Sequence, residues 1–358
     1  MKVLVIQQKM IGDVLMSTVI CEQLKKNLPD AEVHYLINTH TLAVVQNNPY
    51  VDKIVFFEKE YRDNKLALYV FLKRIKKEKY DVVIDPYGKL ESNLVSFFSK
   101  ANIKITNPKW YTRFIYTHLV SGLKKAESNI GLAIENRLHL LTPIISKATF
   151  EQTFPKIYLT GEEIETAKDF LDAGGVDMSK PILMLSILGS GKNKTYPLPY
   201  TAKVIDFIAG RIDGTFLFNY IPSQENEAKE LYALCSDTTK QKIKLELFSP
   251  SLRPFLGLLH YCDALIGNEG GAVNMAKALG VPTFSIYSPW ITTLAWHTFK
   301  DDTKNIAVHL RDFKPEILKD ASRKELKRAA MKLYDLFEPS LFLDQLDDFL
   351  ATKITPNK

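Results

Sequence analysis

Hydrophobic positions in the first third of the chain fall into short unbroken runs separated by stretches of helical spacing. The strand candidates are KVLVI (2–6), EVHYLIN (32–38), KIVFF (53–57), DVVIDP (81–86) and IKIT (103–106). Between the first two, Val14, Leu15, Thr18, Val19 and Leu24 recur near a 3.6-residue period, and Pro29-Asp30 stops that helix. Continuous rather than alternating apolar runs predict strands buried on both faces, hence βαβ units around a parallel sheet. The pattern lapses over 150–180, where FPKIYLTGEEIETAKDFLDAGG reads as a short strand, one helix and a Gly-Gly stop, a connection between domains. A second series follows: PILMLSI (181–187), TFLFNY (215–220), IKLELF (243–248), DALIGN (263–268), PTFSIY (282–287) and NIAVHL (305–310). Helices such as LPYTAKVIDFIAGRI and SQENEAKELYALC fit between them, and the tail reads as two helices broken at Pro339.

These elements predict an α/β chain of two Rossmann-like, doubly wound domains, 1–160 and 161–325, facing each other across a cleft. A helical tail, 326–358, is expected to pack back toward the first domain. Its 358 residues suffice for two domains with unaided cores. No internal repeat is visible. Ligands of doubly wound sheets bind outside the carboxyl ends of the strands, so the loops that follow strands carry the functional information.

Three such loops stand out. In QQKMIGDV (7–14), Gly12 permits a tight turn and Asp13 lies where the first helix begins. An Asp there is commonly an N-cap for free backbone N–H groups; in a cleft it is also a candidate general base. The loop is not GxGxxG, so the dinucleotide fingerprint is missing. LSILGSGKNKTYP (185–197) contains Gly-Ser-Gly-Lys, but a P-loop needs Gly at Ser186 and Ser or Thr at Asn193. What remains is a Gly/Ser loop with Lys192 and Lys194, either solvated or placed to bind phosphate. In IGNEGGAVNMAKALGVP (266–282), Asn268-Glu269-Gly270-Gly271 leads from a strand into a helix. Free N–H groups and the helix dipole favour an anion such as a pyrophosphate there; an ordinary turn that needs glycines is the competing explanation.

Charge and composition add less. The formal net charge of +6 suits anionic partners such as phosphorylated sugars, anionic lipid or nucleic acid without choosing among them. Residues 100–125 hold Lys100, Lys104, Lys109, Arg113, Lys124 and Lys125 with no acid, interleaved with Trp110, Tyr111, Phe114 and Tyr116. Together with 61–80 they suggest contact with a phosphorylated glycolipid at a membrane surface, against a solvated helix face whose aromatics point inward. Nucleic acid has no supporting motif. Three widely spaced cysteines form no metal or disulfide pattern and indicate a reducing compartment. The opening apolar run is too short for a signal peptide, and no stretch reaches the ~18 apolar residues of a membrane span. The seven histidines pair at no metal-ligand spacing, His297 included, and no Ser-His-Asp signature is present.

The opening stretch closely resembles bacterial lipopolysaccharide heptosyltransferases, glycosyltransferase family 9. The residues that carry it are Ile11-Gly12-Asp13-Val14-Leu15, Pro29-Asp30-Ala31 and Asn48-Pro49-Tyr50-Val51-Asp52. Lys194-Thr195-Tyr196-Pro197 is similar to the family's K-x-W-P, and 258–289 to its donor-site stretch. The resemblance implies a GT-B fold with the acceptor on the first domain and a nucleotide sugar on the second. It implies Asp13 as catalytic base, with Gly12, Lys109 and Arg113 expected near the acceptor. On the donor side it implies Lys194, with Lys192, Glu225, Asn268, Glu269, Gly270, Gly271 and Asn274. The family's D-T/S-G-x-x-H loop is here Glu269-Gly270-Gly271-Ala272-Val273-Asn274, which alters the side chains offered to phosphate and sugar. The expectation is therefore an inverting, metal-independent transferase with no cofactor. It would move heptose or a related sugar from a nucleoside-diphosphate donor to a lipopolysaccharide-core or similar glycolipid. Its place would be cytoplasmic, peripheral on the inner face of the membrane. A nucleotide-sugar epimerase and a non-catalytic nucleotide-sugar or glycolipid binding protein are the alternatives.

Overall fold

The computed structural model describes residues 1–147, 150, 153–292, 304–319 and 321–354. It divides the chain into two units, Met1–Tyr158 and Leu159–Lys358.

The first unit is built on β1 (Lys2–Ile6), β2 (Glu32–Ile37), β3 (Lys53–Phe56), β4 (Val82–Asp85), β5 (Ile103–Thr106) and β6 (His118–Leu119). All pair in parallel in the order β3-β2-β1-β4-β5-β6. This is the doubly wound order 3-2-1-4-5-6. Helices α1 (Ile11–Asn27), α2 (Glu60–Asp63), α3 (Lys65–Lys77), α4 (Leu90–Ser99) and α5 (Leu132–His139) connect and cover the strands. The helix expected to be amphipathic, α1, is buried on every side from Val14 to Leu24, Ser17 and Gln23 included. It lies between the sheet and α5, which accounts for its covered outer face.

In the second unit, β7 (Ile182–Ser186), β8 (Thr215–Asn219), β9 (Ala264–Asn268), β10 (Thr283–Ile286) and β11 (Asn305–Val308) form a parallel sheet ordered β11-β10-β9-β7-β8. Counted from β7, this is the 2-1-3-4-5 variant of the doubly wound plan. Helices α6 (Gly161–Ala173), α7 (Leu198–Ala209), α8 (Glu225–Leu234), α9 (Asp237–Lys240), α10 (Leu252–His260) and α11 (Gly271–Ala278) accompany it. The start of α6 matches its sequence: Thr160 accepts from the Glu163 N–H while Glu163 reaches back to the Thr160 N–H, a capping box.

Ten of the eleven sequence-predicted strands of the two sheets form within two residues of their expected limits. The exception is IKLELF. Its only ladder contact is a single bridge from Ile243 to Phe216. Leu247 instead lies where Gly174 lacks a side chain; a Cβ on Gly174 would stand 2.4 Å from Leu247. Burial of Leu247 under the end of α6 pulls the segment off the sheet edge. No strand forms over 153–160, an irregular segment that leads into α6. The tail helices Arg323–Asp335 and Leu343–Lys353, expected against the first domain, bury Tyr334, Leu346, Phe349 and Leu350 in the second unit's own core. Tyr196, fully buried, donates its hydroxyl to the Phe337 carbonyl and packs on Tyr334 and Phe342, so the loop after β7 and the tail share one core.

Gly267 interrupts β9 with φ +134°, and a Cβ there would lie 2.3 Å from the Ser186 carbonyl oxygen of the neighbouring strand. Gly267→Ala must therefore strain the backbone and push two strands apart. It is expected to lower stability by at least about 2 kcal/mol, read as a lower urea midpoint at unchanged slope. An unchanged midpoint would refute the close approach.

Candidate active site

Strand order reverses between β1 and β4 in the first sheet and between β7 and β9 in the second, so each unit has one crevice at the carboxyl ends of those strands.

In the first unit the chain leaves β1 through Gln7–Lys9 and enters α1 at Met10, whose φ of 63° is uncommon for a side chain of this size. Met10 is the N-cap residue and offers no side-chain cap. Asp13 is therefore not the cap that an aspartate at a helix start suggests. It stands in the first turn, beside Gly12, where the helix dipole favours a carboxylate. Its Oδ1 accepts from Arg137 Nη2 at 2.6 Å. Arg137 in turn donates Nε to Ser17 Oγ at 2.9 Å and Nη1 to the Ala133 carbonyl at 2.7 Å. Both side chains are largely covered, 22% exposed for Asp13 and 13% for Arg137. Among the described residues no main-chain N–H binds the Asp13 carboxylate.

The adjoining end of β4 is fixed by Asp85. Its carboxylate accepts from the Gly88 N–H at 2.7 Å and from the Tyr116 hydroxyl, and burial raises its pKa despite those bonds. Tyr87, in the same loop, has its hydroxyl pKa raised first by burial and then by nearby carboxylates, Asp13 among them, which places the ring in the field of Asp13. Gln8, fully buried at the end of β1, has no partner for either side-chain polar atom among the described residues.

The cationic aromatic stretch is not a helix facing the core. Residues 110–115 form turns that leave Trp110 86% and Phe114 78% exposed, with only Tyr116 of its aromatics buried. Lys109 Nζ donates to the Gly88 carbonyl, tying this segment to the β4 loop, while Arg113 projects from an exposed position.

In the second unit the two crevice loops are stitched together by Asn268. Its side-chain oxygen accepts from the Tyr196 N–H at 2.6 Å, and its amide donates to the Ser186 carbonyl at 3.0 Å. Expected as a donor contact, Asn268 is 1% exposed, so its amide serves the loops and not a ligand. Lys192 and Lys194 lie on one 3-10 turn. Lys194 Nζ pairs with Glu269 Oε1 at 3.3 Å, too loosely oriented for a hydrogen bond, since that oxygen is buried without one. Trp290 Nε1 and Ser288 Oγ both donate to the Asn193 carbonyl, at 2.8 and 2.7 Å. Glu225 opens α8 at the end of β8 and is exposed, paired with Lys229 at 2.7 Å. Gln224 beside it donates to the Gly189 carbonyl at 2.9 Å. Gly270 and Gly271 precede the free N–H groups of α11, with Asn274 one turn on. A Cβ on Gly270 would meet nothing within 4 Å, and one on Gly271 nothing nearer than 3.9 Å. Neither packing nor backbone conformation requires these glycines, so the ordinary-turn explanation fails and an open approach to the helix N-terminus remains.

The model of glycosyltransferase family 9 (heptosyltransferase) matches residues 68–316, more than half of the chain. The chain belongs to glycosyltransferase family 9. Lipopolysaccharide heptosyltransferase 1 of Campylobacter coli is 24% identical over 300 residues, spanning 80% of this chain and 84% of that one. The family 9 glycosyltransferase of Veillonella parvula superposes with a TM-score of 0.74 at 19% identity, over 94% of this chain and 97% of that one. E. coli heptosyltransferase WaaC with ADP gives 0.65 at 16% identity, over 98% and 100%. These two likenesses establish the fold, two parallel α/β sheets of the GT-B kind. Among the described residues of this glycosyltransferase, no three His, Cys, Asp or Glu side chains come together as a metal site, and no helix is long and apolar enough to cross a membrane. His297 lies outside the described residues.

Arg137 is the residue that sequence reasoning missed. Nothing in ENRLH marks it; the only hint is that a carboxylate on a helix as deeply covered as α1 requires a cation from elsewhere.

The two crevice-loop residues predict opposite outcomes in the second unit. Asn268→Ala leaves the buried Tyr196 N–H and Ser186 carbonyl unmatched and is expected to cost about 2–4 kcal/mol. Gly270→Ala adds a methyl to open space and should change stability by no more than about 0.5 kcal/mol. Denaturant melts of both variants check this; equal losses would contradict the geometry.

Proposed function

We propose that this glycosyltransferase moves a heptose or related sugar from a nucleoside-diphosphate donor to a lipopolysaccharide-core or similar glycolipid, with inversion and without a metal. The observation that carries the reading is Asp13: a carboxylate at the crevice of the first unit, held by one guanidinium and by no main-chain N–H. The acceptor and donor assignments draw support from relatives named lipopolysaccharide and lipooligosaccharide heptosyltransferases.

In this mechanism the acceptor hydroxyl lies against Asp13. As its oxygen bonds to the anomeric carbon, its proton passes to the Asp13 carboxylate and the bond from that carbon to the phosphate oxygen breaks. The nucleoside diphosphate departs from the opposite face with the electron pair. Lys194, with Lys192, meets the charge that develops, and so do the N–H groups at Gly270 and Gly271. Preorganised donors of this kind each contribute about 3 kcal/mol of barrier lowering. Lys194 rests on Glu269 until the anion arrives. Arg137 fixes the Asp13 rotamer. Glu225 opens α8 and Asn274 lies in the first turns of α11, and both are assigned to ribose or sugar hydroxyls. Gly12, Lys109 and Arg113, with the exposed Trp110 and Phe114, face the acceptor and the anionic inner surface of the cytoplasmic membrane.

Asp13→Asn keeps the shape and one acceptor oxygen but cannot take a proton. Transfer, followed as release of nucleoside diphosphate dependent on the glycolipid acceptor, is expected to fall by about two to four powers of ten. Donor binding should stay near that of the parent, while the melting temperature falls with unfolding still cooperative, because Arg137 loses its charged partner and keeps only the amide oxygen. A variant with parental turnover would remove Asp13 from the chemistry. A parent that binds the nucleotide sugar yet never releases nucleoside diphosphate would be a binding protein instead.

A further inference from the structure

The tail helix Arg323–Asp335 reaches the loop that carries Lys192 and Lys194. Three cations gather on one indole there: Lys327 Nζ lies 5.1 Å, the Arg323 guanidinium 5.3 Å and Lys194 Nζ 5.6 Å from the centre of the Trp290 ring. Any two of them are thus no more than about 11 Å apart, close to one screening length at physiological salt. Trp290 is buried and held by its bond to Asn193, so the platform is fixed to the loop itself. Arg323 and Lys327 are four apart on one helix, a like-charged pair that weakens the helix unless something anionic answers it. Among the described residues the only carboxylate paired with the three is Glu269, on Lys194. The cluster carries more positive charge than its surroundings balance, at the switch point of the second sheet.

We propose that Arg323 and Lys327 belong to the anion site of this unit and contact the diphosphate of the nucleotide sugar, making the tail helix part of the donor site. The inference rests on the donor assignment to Lys194 and the Gly270–Gly271 opening, and adds to it a contact from outside the strand-following loops. The indole keeps the two side chains extended over the loop, so little conformational freedom is lost when the anion binds.

Titration calorimetry with ADP, UDP and GDP on the full chain first identifies the diphosphate that the parent binds. The double variant Arg323→Gln/Lys327→Gln is then titrated with that diphosphate, its monophosphate and the bare nucleoside. Expected is a rise in Kd of about tenfold for the diphosphate, less for the monophosphate and none for the nucleoside. The dependence of log Kd on log salt concentration should be shallower, and Arg323→Lys/Lys327→Arg should restore affinity. If the double variant binds the diphosphate like the parent while Lys194→Gln does not, the tail contact is wrong and the donor assignment stands. If the parent binds none of the three diphosphates, the donor assignment falls and takes this inference with it.

Discussion

The second unit depends on one buried amide. Parallel strands end in loops whose N–H and C=O groups leave the ladder, and at the β7–β9 switch point the two loops diverge with nothing between them. Asn268 supplies the missing bonds: it takes the Tyr196 N–H and gives to the Ser186 carbonyl, while the Ser186 hydroxyl donates back to the Asn268 carbonyl. Inside a protein such a closed set is strong when complete and costly when broken. The loop that carries Lys192 and Lys194 and the loop that carries Glu269, Gly270 and Gly271 are joined through it. Tyr196 ties the loop to the tail, and Lys192 and Lys194 follow from the turn it closes. Glu269 and the open glycines begin at the next residue.

The first unit solves a different problem with a different device. A carboxylate that is to take a proton, as proposed for Asp13, must be neither buried alone nor consumed by the backbone. Asp13 sits in the first turn of a helix whose cap position is held by Met10, which has no side-chain acceptor for the N–H groups at the helix start. The guanidinium of Arg137 directs three bonds, at Asp13, Ser17 and the Ala133 carbonyl, which set its plane and the direction from which it meets the carboxylate. A lysine in the same place would supply charge without that orientation.

How far the sequence speaks follows from which forces act locally. Continuous apolar runs are a local signal, and β1, β5 and β7–β10 were legible to within a residue because both faces of a parallel sheet must be covered. IKLELF carries the same local signal, but Leu247 is drawn under Gly174, a contact across 73 residues that no window contains. Glycines read the same way in sequence and differ in space. Gly267 is required by a neighbouring strand, whereas Gly270 faces open room, and only coordinates separate the two. Lys194 and Asp13 were legible because they follow strands; Arg137, Arg323 and Lys327 come from helices that follow no crevice strand, where the rule of carboxyl ends gives no guidance.

One buried ring explains why the tail belongs to the second unit. The loop after β7, which carries Lys192 and Lys194, also carries Tyr196, a fully buried ring that needs apolar cover. The tail covers it with Tyr334, Phe337 and Phe342 packed on Tyr196, and the same packing brings Trp290 under the cations. Core formation and assembly of positive charge are then one event: the apolar face of Arg323–Asp335 pays for holding its cationic face beside Lys194. On the proposed donor assignment, an anion arriving there would meet charges whose positions were settled by folding, which is the condition under which electrostatic contacts to a leaving group lower a barrier instead of merely tightening binding.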